Sequence, residues 1–201
     1  IDDRIPSTHN IITANEGNAV ALAAGYYLAT NKIPLVYMQN SGLGNAVNPL
    51  LSLCDSEVYS IPMVMMIGWR GEPGVKDEPQ HIKQGKVQLD LLEALDLPYE
   101  IISKDDDQFA MKISNVIKTS KAESRPTVLL IKKGTFKKYT KKHQKSQNQY
   151  MNREKALKII LDNLDDQDLI VSTTGKTSRE IYEIREKGHK SHHQEFLTVG
   201  S

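Results

Sequence analysis

Short, unbroken apolar runs alternate with helix-like patterns between residues 10 and 69, and this alternation constrains the fold more than any other feature. The runs are Ile11–Ile12, Ile33–Met38 and Ile61–Ile67. A continuous apolar run is typical of a strand that is buried on both faces of a parallel sheet. Strands that alternate with helices predict βαβ units with right-handed crossovers. We therefore expect an α/β fold in which helices flank a parallel sheet.

Helix and strand signals continue along the chain. Asn15 predicts the N-cap of a helix that reaches about residue 29, and a second helix is expected over about 45–57. The charged, Gly- and Pro-rich segment Arg70–His81 predicts a long loop. Two later strands are predicted at Tyr99–Ile102 and Thr127–Ile131.

A change of composition predicts the domain boundaries. The tract Lys132–Gln149 contains seven lysines and almost no apolar residues, which is typical of a linker. The sequence therefore predicts an α/β domain over 1–133, a lysine-rich linker over 134–150, and the start of a second α/β domain over 151–201. Both ends read as cut, so the second domain is expected to be incomplete.

The composition excludes several classes of function. Lys and Arg total 26 against 25 for Asp and Glu, so no global charge favours a nucleic-acid or membrane partner. The lysine tract is local and has few aromatic residues to stack on bases. No apolar run approaches the roughly 20 residues that span a bilayer. The single cysteine, Cys54, excludes an intrachain disulfide, and we expect a cytoplasmic protein.

Two polar clusters follow predicted strands, where ligands bind in parallel sheets. Glu16 comes after the first run, and Gln39–Asn45 comes after the second. Glu16 is either an ordinary first-turn acid stabilised by the helix dipole or a partly buried carboxylate that holds a proton. The second cluster is either a turn with a helix cap or a cradle for a flat polar ligand. Its candidate binding residues are Gln39, Asn40, Ser41 and Gly42.

A third cluster resembles the end of a phosphate loop. The Walker pattern needs a glycine five residues before Gly175, where the chain has Ile170, so that motif is excluded. A helix N-terminus can bind a diphosphate without the motif, although an ordinary helix cap is the alternative. The candidate diphosphate-binding residues are Thr174, Gly175, Lys176 and Thr177.

Cationic and amide side chains of the charged loop are candidates to bind an anionic substrate. They are Arg70, Gln80 and His81, and the alternative is that they are solvated. His189, His192 and His193 have no carboxylate or thiol at metal-ligand spacing, so an exposed turn is expected there. No metal site is predicted within the chain.

These clusters together resemble the thiamine-diphosphate-dependent decarboxylases. The resemblance covers nearly the whole chain, and it is strongest to the members that act on 3-phosphonopyruvate, with those that act on sulfopyruvate as close relatives. Its marks, in chain order, are Asn15–Ala19, Gln39–Asn45, Arg70–Glu72, Glu78–His81, Thr173–Glu180 and Thr198–Ser201. Each mark is weak, and their joint order and spacing carry the match.

The resemblance implies a cofactor, a reaction and an assembly. In that family a pyrimidine-binding α/β domain contacts the aminopyrimidine ring of thiamine diphosphate through a glutamate. The resemblance implies that 1–133 is this domain and that Glu16 is the glutamate. The second domain contacts the diphosphate and Mg2+, whose ligands are expected beyond Ser201. The implied reaction is the non-oxidative decarboxylation of an anionic 2-oxoacid, in a homo-oligomer with sites between subunits. The alternative functions are sulfopyruvate decarboxylation and a non-catalytic module that binds a diphosphate or nucleotide.

Overall fold

The computed structural model describes residues 5–139, 151–165, 167–173 and 175–197. The chain divides into two compact units, Ile1–Thr140 and Lys141–Ser201, which are described separately. The predicted linker over 134–150 lies largely outside the described residues, and its role stays a prediction.

The first unit is built on a four-stranded, all-parallel sheet. Its strands are β1 (Leu35–Gln39), β2 (Met63–Gly68), β3 (Tyr99–Ile102) and β4 (Pro126–Ile131). They lie in the order β1-β2-β4-β3, so β1 and β3 are the edge strands. Because all strands run the same way, their carboxyl ends meet at one edge of the sheet, which is where such sheets bind ligands.

Five helices connect and cover these strands. They are α1 (Glu16–Thr30), α2 (Leu43–Pro49), α3 (Pro79–Lys86), α4 (Gln88–Ala94) and α5 (Phe109–Glu123). Short 3-10 turns lie at Ser7–His9 and Asn40–Gly42, and α2 continues into a π-helical segment, Leu50–Cys54. Pro49 has no N–H to donate, and the hydrogen-bond pattern widens directly after it.

The sheet separates two apolar clusters. The larger one joins β1, β2 and β4 to α1, α2 and α4, with Leu43, Met65 and Leu92 fully buried. The smaller one joins β2, β3 and β4 to α5 through Val64, Val116 and similar side chains. Every residue of β4 is buried, as expected for a central strand with both faces covered.

Three expectations about the first unit are wrong in detail. Ile11–Ile12 forms no strand, and the side chain of Ile12 is 93% exposed. Strand β1 is buried on one face only, because it is an edge strand and α5 covers β2, β3 and β4 instead. The helix expected over 45–57 ends at Cys54, since the Asp55 carboxylate accepts a hydrogen bond from the backbone N–H of Glu57 and forms a turn.

The second unit has two helices and two paired parallel strands among its described residues. They are α6 (Arg153–Asp162), β5 (Ile170–Ser172), α7 (Lys176–Lys187) and β6 (Glu195–Leu197). The Arg153 guanidinium binds the Glu180 carboxylate through two hydrogen bonds of 2.6 Å and ties α6 to α7. No helix in the described parts of either unit is both long and apolar enough to cross a membrane.

Candidate functional site

The ends of β1 and β2 bring the Gln39–Asn45 cluster and the charged loop together. Gln39 pairs with Gly68 in the sheet register, so the segments that follow them start side by side. Asn40, only 4% exposed, closes the gap between these segments. Its side-chain amide donates to the carbonyl oxygen of Arg70 at 2.9 Å and accepts from the Arg70 N–H at 2.9 Å. The amide of Asn40 therefore fixes the backbone of Arg70.

Glu16 begins helix α1 at this edge. The Asn15 side chain caps the helix by accepting from the Asn18 N–H at 2.9 Å. The Glu16 side chain is half-buried and packs over Gly42, where an added Cβ would lie 2.3 Å from the carboxyl carbon. Asn45 donates to Glu16 Oε2 at 3.0 Å, and Oε1 has no hydrogen-bond partner among the described residues. One carboxyl oxygen is thus fixed while the other is available.

The charged loop is organised around the carboxylate of Asp77, whose side chain is 7% exposed. Oδ2 accepts from Arg70 Nε and from the Gly71 N–H, both at 2.8 Å. Oδ1 accepts from Arg70 Nη2 at 2.5 Å and from the Glu78 N–H at 2.8 Å, and it lies 3.3 Å from His81 Nδ1. These donors, above all the Arg70 guanidinium, hold the pKa of Asp77 well below its usual range.

Helix α3 packs tightly against the start of this loop. Gly71 has φ +66°, and a Cβ there would lie 1.9 Å from the His81 carbonyl oxygen. At Gly85 a Cβ would lie 1.9 Å from the Gly71 carbonyl oxygen, and Trp69 Nε1 donates to the Gly85 carbonyl at 2.9 Å. Only glycine lets the two backbones approach this closely.

The predicted residues of the first unit fall into two groups. Glu16, Asn40, Gly42, Arg70 and His81 lie at the carboxyl edge, in the contacts described above. Gln39 is exposed at the end of β1, Ser41 is half-buried, and Gln80 is exposed. Two expectations were wrong in their secondary structure, because Gln80 and His81 lie on helix α3 rather than in the loop. Pro79 at the first helical position starts this helix early.

The predicted diphosphate residues lie in the second unit, around the start of α7. Gly175 has φ +92°, Lys176 is the first helical residue and Thr177 is the second. Gly175 at the N-cap has no side chain to cap this helix, so among the described residues no side-chain cap accepts from its first N–H groups. The Ser178 hydroxyl donates to the Thr173 carbonyl at 2.6 Å. Thr174 lies outside the described residues.

The histidine-rich turn differs from the expectation that no carboxylate accompanies it. His192 lies between two carboxylates, with Nδ1 at 2.8 Å from Glu195 and Nε2 at 3.1 Å from Glu186. Its ring stacks on Tyr182 with centroids 4.5 Å apart. Hydrogen bonding, first to Glu195 and then to Glu186, raises the pKa of His192. Within the described ranges no three His, Cys, Asp or Glu side chains form a group that could hold a metal ion.

Sequence reasoning missed two side chains of this edge. One is Asp77, and the other is Asn45, which binds Glu16. The spacing of Asp77 and His81, four residues apart with Pro79 as a helix-start signal between them, is the signal that could have indicated their contact. The contact of Asn45 with Glu16 joins α2 to α1 across 29 positions, and no local pattern indicates it.

Comparison with known proteins shows which family the chain resembles in sequence. Residues 4–94 match the family described as "Thiamine pyrophosphate enzyme, N-terminal TPP binding domain". Phosphonopyruvate decarboxylase of Streptomyces viridochromogenes is 31% identical over 98% of this chain and 51% of its own length. The chain is a homologue of the thiamine-diphosphate-dependent decarboxylases.

Two further relatives show the range of this group. Phosphonopyruvate decarboxylase of Streptomyces hygroscopicus is 31% identical over 100% of this chain and 51% of its own. The alpha subunit of sulfopyruvate decarboxylase from Methanothermobacter thermautotrophicus is 36% identical over 48% of this chain and 56% of its own. The chain spans about half the length of the curated relatives it matches.

The residues present fit the organic part of thiamine diphosphate. A pyrimidine ring nitrogen needs a carboxyl group that is partly shielded from water and has a free oxygen, and Glu16 Oε1 meets this need. In the second unit, the N–H groups at the start of α7, where the described N-cap residue Gly175 offers no side-chain acceptor, suit a diphosphate.

Proposed function

We propose that this homologue takes part in the thiamine-diphosphate-dependent, non-oxidative decarboxylation of 3-phosphonopyruvate to phosphonoacetaldehyde and CO2, a reaction of phosphonate biosynthesis. The observation that carries the proposal is the half-buried Glu16 carboxyl at the sheet edge, with one oxygen fixed by Asn45 and one available. The names of the two Streptomyces relatives support the choice of substrate.

Glu16 is the proposed catalytic residue. Its free oxygen would bind a ring nitrogen of the cofactor, and Gly42 and Asn45 keep the carboxyl in place. Thiamine diphosphate, when bound, supplies the carbon nucleophile and the electron sink for loss of CO2. The contribution of Glu16 is to hold a proton between its carboxyl and the ring, which requires a site shielded from bulk water. Gln39, Asn40, Ser41 and Gly42 would line the ring site.

Arg70 and His81 are proposed to bind the anionic end of the 2-oxoacid, with Gln80 beside them. A guanidinium and an imidazole bind a phosphonate or a sulfonate, because both are tetrahedral oxyanions. Sulfopyruvate is therefore the second candidate substrate, and the match to a sulfopyruvate decarboxylase alpha subunit favours it specifically. In the second unit, Thr174, Gly175, Lys176 and Thr177 are the proposed diphosphate contacts.

The remaining parts of the proposal concern the surroundings of the site. We assign Mg2+ as the partner of the diphosphate and a homo-oligomer as the functional state, as the family resemblance implies. We also propose a cytoplasmic location, which the single cysteine supports because a chain without an intrachain disulfide suits a reducing compartment. Analytical ultracentrifugation of the complete natural polypeptide should show an assembly larger than one chain, and EDTA should abolish the activity.

An assay of the complete natural polypeptide that carries these residues tests the function. With thiamine diphosphate and Mg2+, CO2 release is expected from 3-phosphonopyruvate faster than from sulfopyruvate. The variant Glu16→Gln should lose most of this activity and most of the exchange of the cofactor's C2 proton, as followed by NMR. Glu57→Gln, which changes an exposed carboxylate in a turn, is the matched control. Cofactor binding without turnover of either substrate would favour the non-catalytic module instead.

A further inference from the structure

We propose that Asp77 is a positioning residue, which orients Arg70 and His81 so that one nitrogen of each remains to bind the substrate's oxyanion. The inference rests on the proposed function for the identity of the ligand. It concerns a side chain that touches neither cofactor nor substrate in that proposal and acts through its neighbours.

The Asp77 carboxylate fixes the orientation of the Arg70 guanidinium. Its two oxygens receive both Nε and Nη2 of Arg70, which fixes the plane of the guanidinium. Backbone N–H groups of Gly71 and Glu78 hold the carboxylate from the other directions, at 2.8 Å each. The carboxylate cannot rotate without losing several charge-assisted hydrogen bonds, so it is a rigid support for Arg70.

The contact with Asp77 also sets the tautomer of His81. The ionised carboxylate only accepts hydrogen bonds, so the nitrogen that faces it, Nδ1, has to carry a hydrogen. This leaves Nε2 as the ring nitrogen that does not face Asp77, and it donates a hydrogen bond to an oxyanion when the ring carries a second proton. Arg70 Nη1 and His81 Nε2 make no hydrogen bond to any residue that the structure describes. Arg70 is 34% exposed and His81 is 13% exposed, so the pair lies at the border between protein and solvent.

Arg70 is also fixed through its backbone. Asn40 holds the N–H and the carbonyl of Arg70, while Asp77 holds the side chain. Both ends of the residue are therefore set before any ligand arrives. Such preorganisation lowers the entropy cost of binding an anion, so loss of Asp77 should weaken substrate binding more than it slows the chemical step.

Nitrogen NMR of the complete polypeptide, labelled with 15N-histidine, tests the tautomer without any substrate. The His81 signals are assigned by their absence from His81→Gln. At a pH where the ring is neutral, wild-type His81 is expected with hydrogen on Nδ1, and Asp77→Asn is expected to shift the population toward the Nε2–H form. A wild-type ring with hydrogen on Nε2 would overturn the proposal.

Steady-state kinetics test the consequence for binding. Asp77→Asn should raise KM for the preferred 2-oxoacid at least tenfold, with a smaller change in kcat and an unchanged Kd for thiamine diphosphate. Asp106→Asn is the matched control. Asp106 lies on the loop after edge strand β3, and its shielded carboxylate pairs with Lys112 of α5. It should leave KM unchanged.

The outcomes separate the inference from the proposed function. Unchanged KM in Asp77→Asn, or a parallel loss of cofactor binding, contradicts a positioning role toward the substrate. Should wild type decarboxylate neither substrate, the proposed function fails, while the NMR result still decides whether Asp77 sets the state of His81.

Discussion

The position of Glu16 depends on the lack of a side chain at Gly42. In Gly42→Ala the new Cβ would lie 2.3 Å from the Glu16 carboxyl carbon, so the carboxyl has to move. Because the obstacle is the end of a flexible side chain, we expect the free energy of unfolding to change by less than about 1 kcal/mol. Thiamine diphosphate should bind at least tenfold more weakly, as measured by titration calorimetry.

Gly44→Ala is the control for this substitution. Gly44 lies two residues away inside α2, and a Cβ there meets nothing within 4 Å. Alanine favours the helix by up to about 1 kcal/mol over glycine, so this variant should be slightly more stable and bind the cofactor like wild type. Equal binding by both variants would show that Gly42 does not control Glu16.

His192 is expected to make the second unit sensitive to pH. The Glu195 and Glu186 carboxylates raise its pKa, Arg185 also pairs with Glu195, and the His192 ring stacks on Tyr182. The folded state therefore binds the proton more tightly than the unfolded state. The stabilising effect of protonated His192 is complete below about pH 6.5, the ordinary pKa of histidine. It is lost as the pH rises through the higher pKa of the folded state.

Hydrogen exchange of the segment Glu195–Leu197 measures this effect. Wild type should be better protected than His192→Gln at pH 6, and the difference should shrink by pH 8. Comparison at equal pH removes the intrinsic pH dependence of exchange. His193→Gln, which changes an exposed neighbour, should follow wild type. A difference that stays constant between the two pH values would contradict the role of His192.

Among the elements, the contact between the charged loop and α3 is the most demanding. Gly71 and Gly74 both have positive φ, +66° and +81°, but only Gly71 faces another backbone. Gly74→Ala should cost about 1 kcal/mol, the penalty of the left-handed region for a residue with a Cβ. Gly71→Ala adds a clash with the backbone of His81, which cannot move away cheaply, and should cost at least about 3 kcal/mol.

Urea unfolding of the two glycine variants separates these terms, because the conformational penalty is shared and the steric one is not. A cost for Gly71→Ala no larger than for Gly74→Ala would mean that α3 can shift away from the loop. The proposed substrate residue His81 would then lie on a mobile element.

Most elements of the first unit could be predicted because their signals are local. Asn15 is the N-cap of α1, and the strand predicted at Tyr99–Ile102 has the same bounds in the structure. The burial of β1 on both faces could not be judged from its apolar run, because exposure depends on which strand lies at the sheet edge. Strand order is a property of the assembled sheet.

The sequence likewise indicated some residues of the candidate site and not others. Glu16 and the Gln39–Asn45 cluster were proposed because each follows an apolar run. The run before Glu16, Ile11–Ile12, forms no strand, but the structure still packs Glu16 over Gly42. Asp77 was missed because its importance lies in five donors that converge from Arg70, Gly71, Glu78 and His81. Convergence of this kind depends on a folded loop, and composition describes the loop only as charged.

At the scale of the whole molecule, the two units differ in how much they bury. The first has two apolar clusters on opposite sides of a sheet. Helix α6 of the second unit has no buried residue, and the described core residues there are Ile170 and Ile181. The first unit therefore buries the apolar core that an independently folding domain needs. In the described part of the second unit, the Arg153–Glu180 pair adds a polar contact between its helices.

The proposed linker over 134–150 can be tested with limited trypsin digestion of the intact chain. Its lysines lie among residues with little to bury, so first cuts are expected between Lys137 and Lys145. Lys112 is the internal control, because it lies within α5 and its ammonium group binds Asp106 at 2.6 Å and the Ile101 carbonyl at 2.8 Å. Mass spectrometry should find two large fragments before any cut at Lys112. Equally early cleavage at Lys112 would contradict both the linker and the expected stability of the first unit.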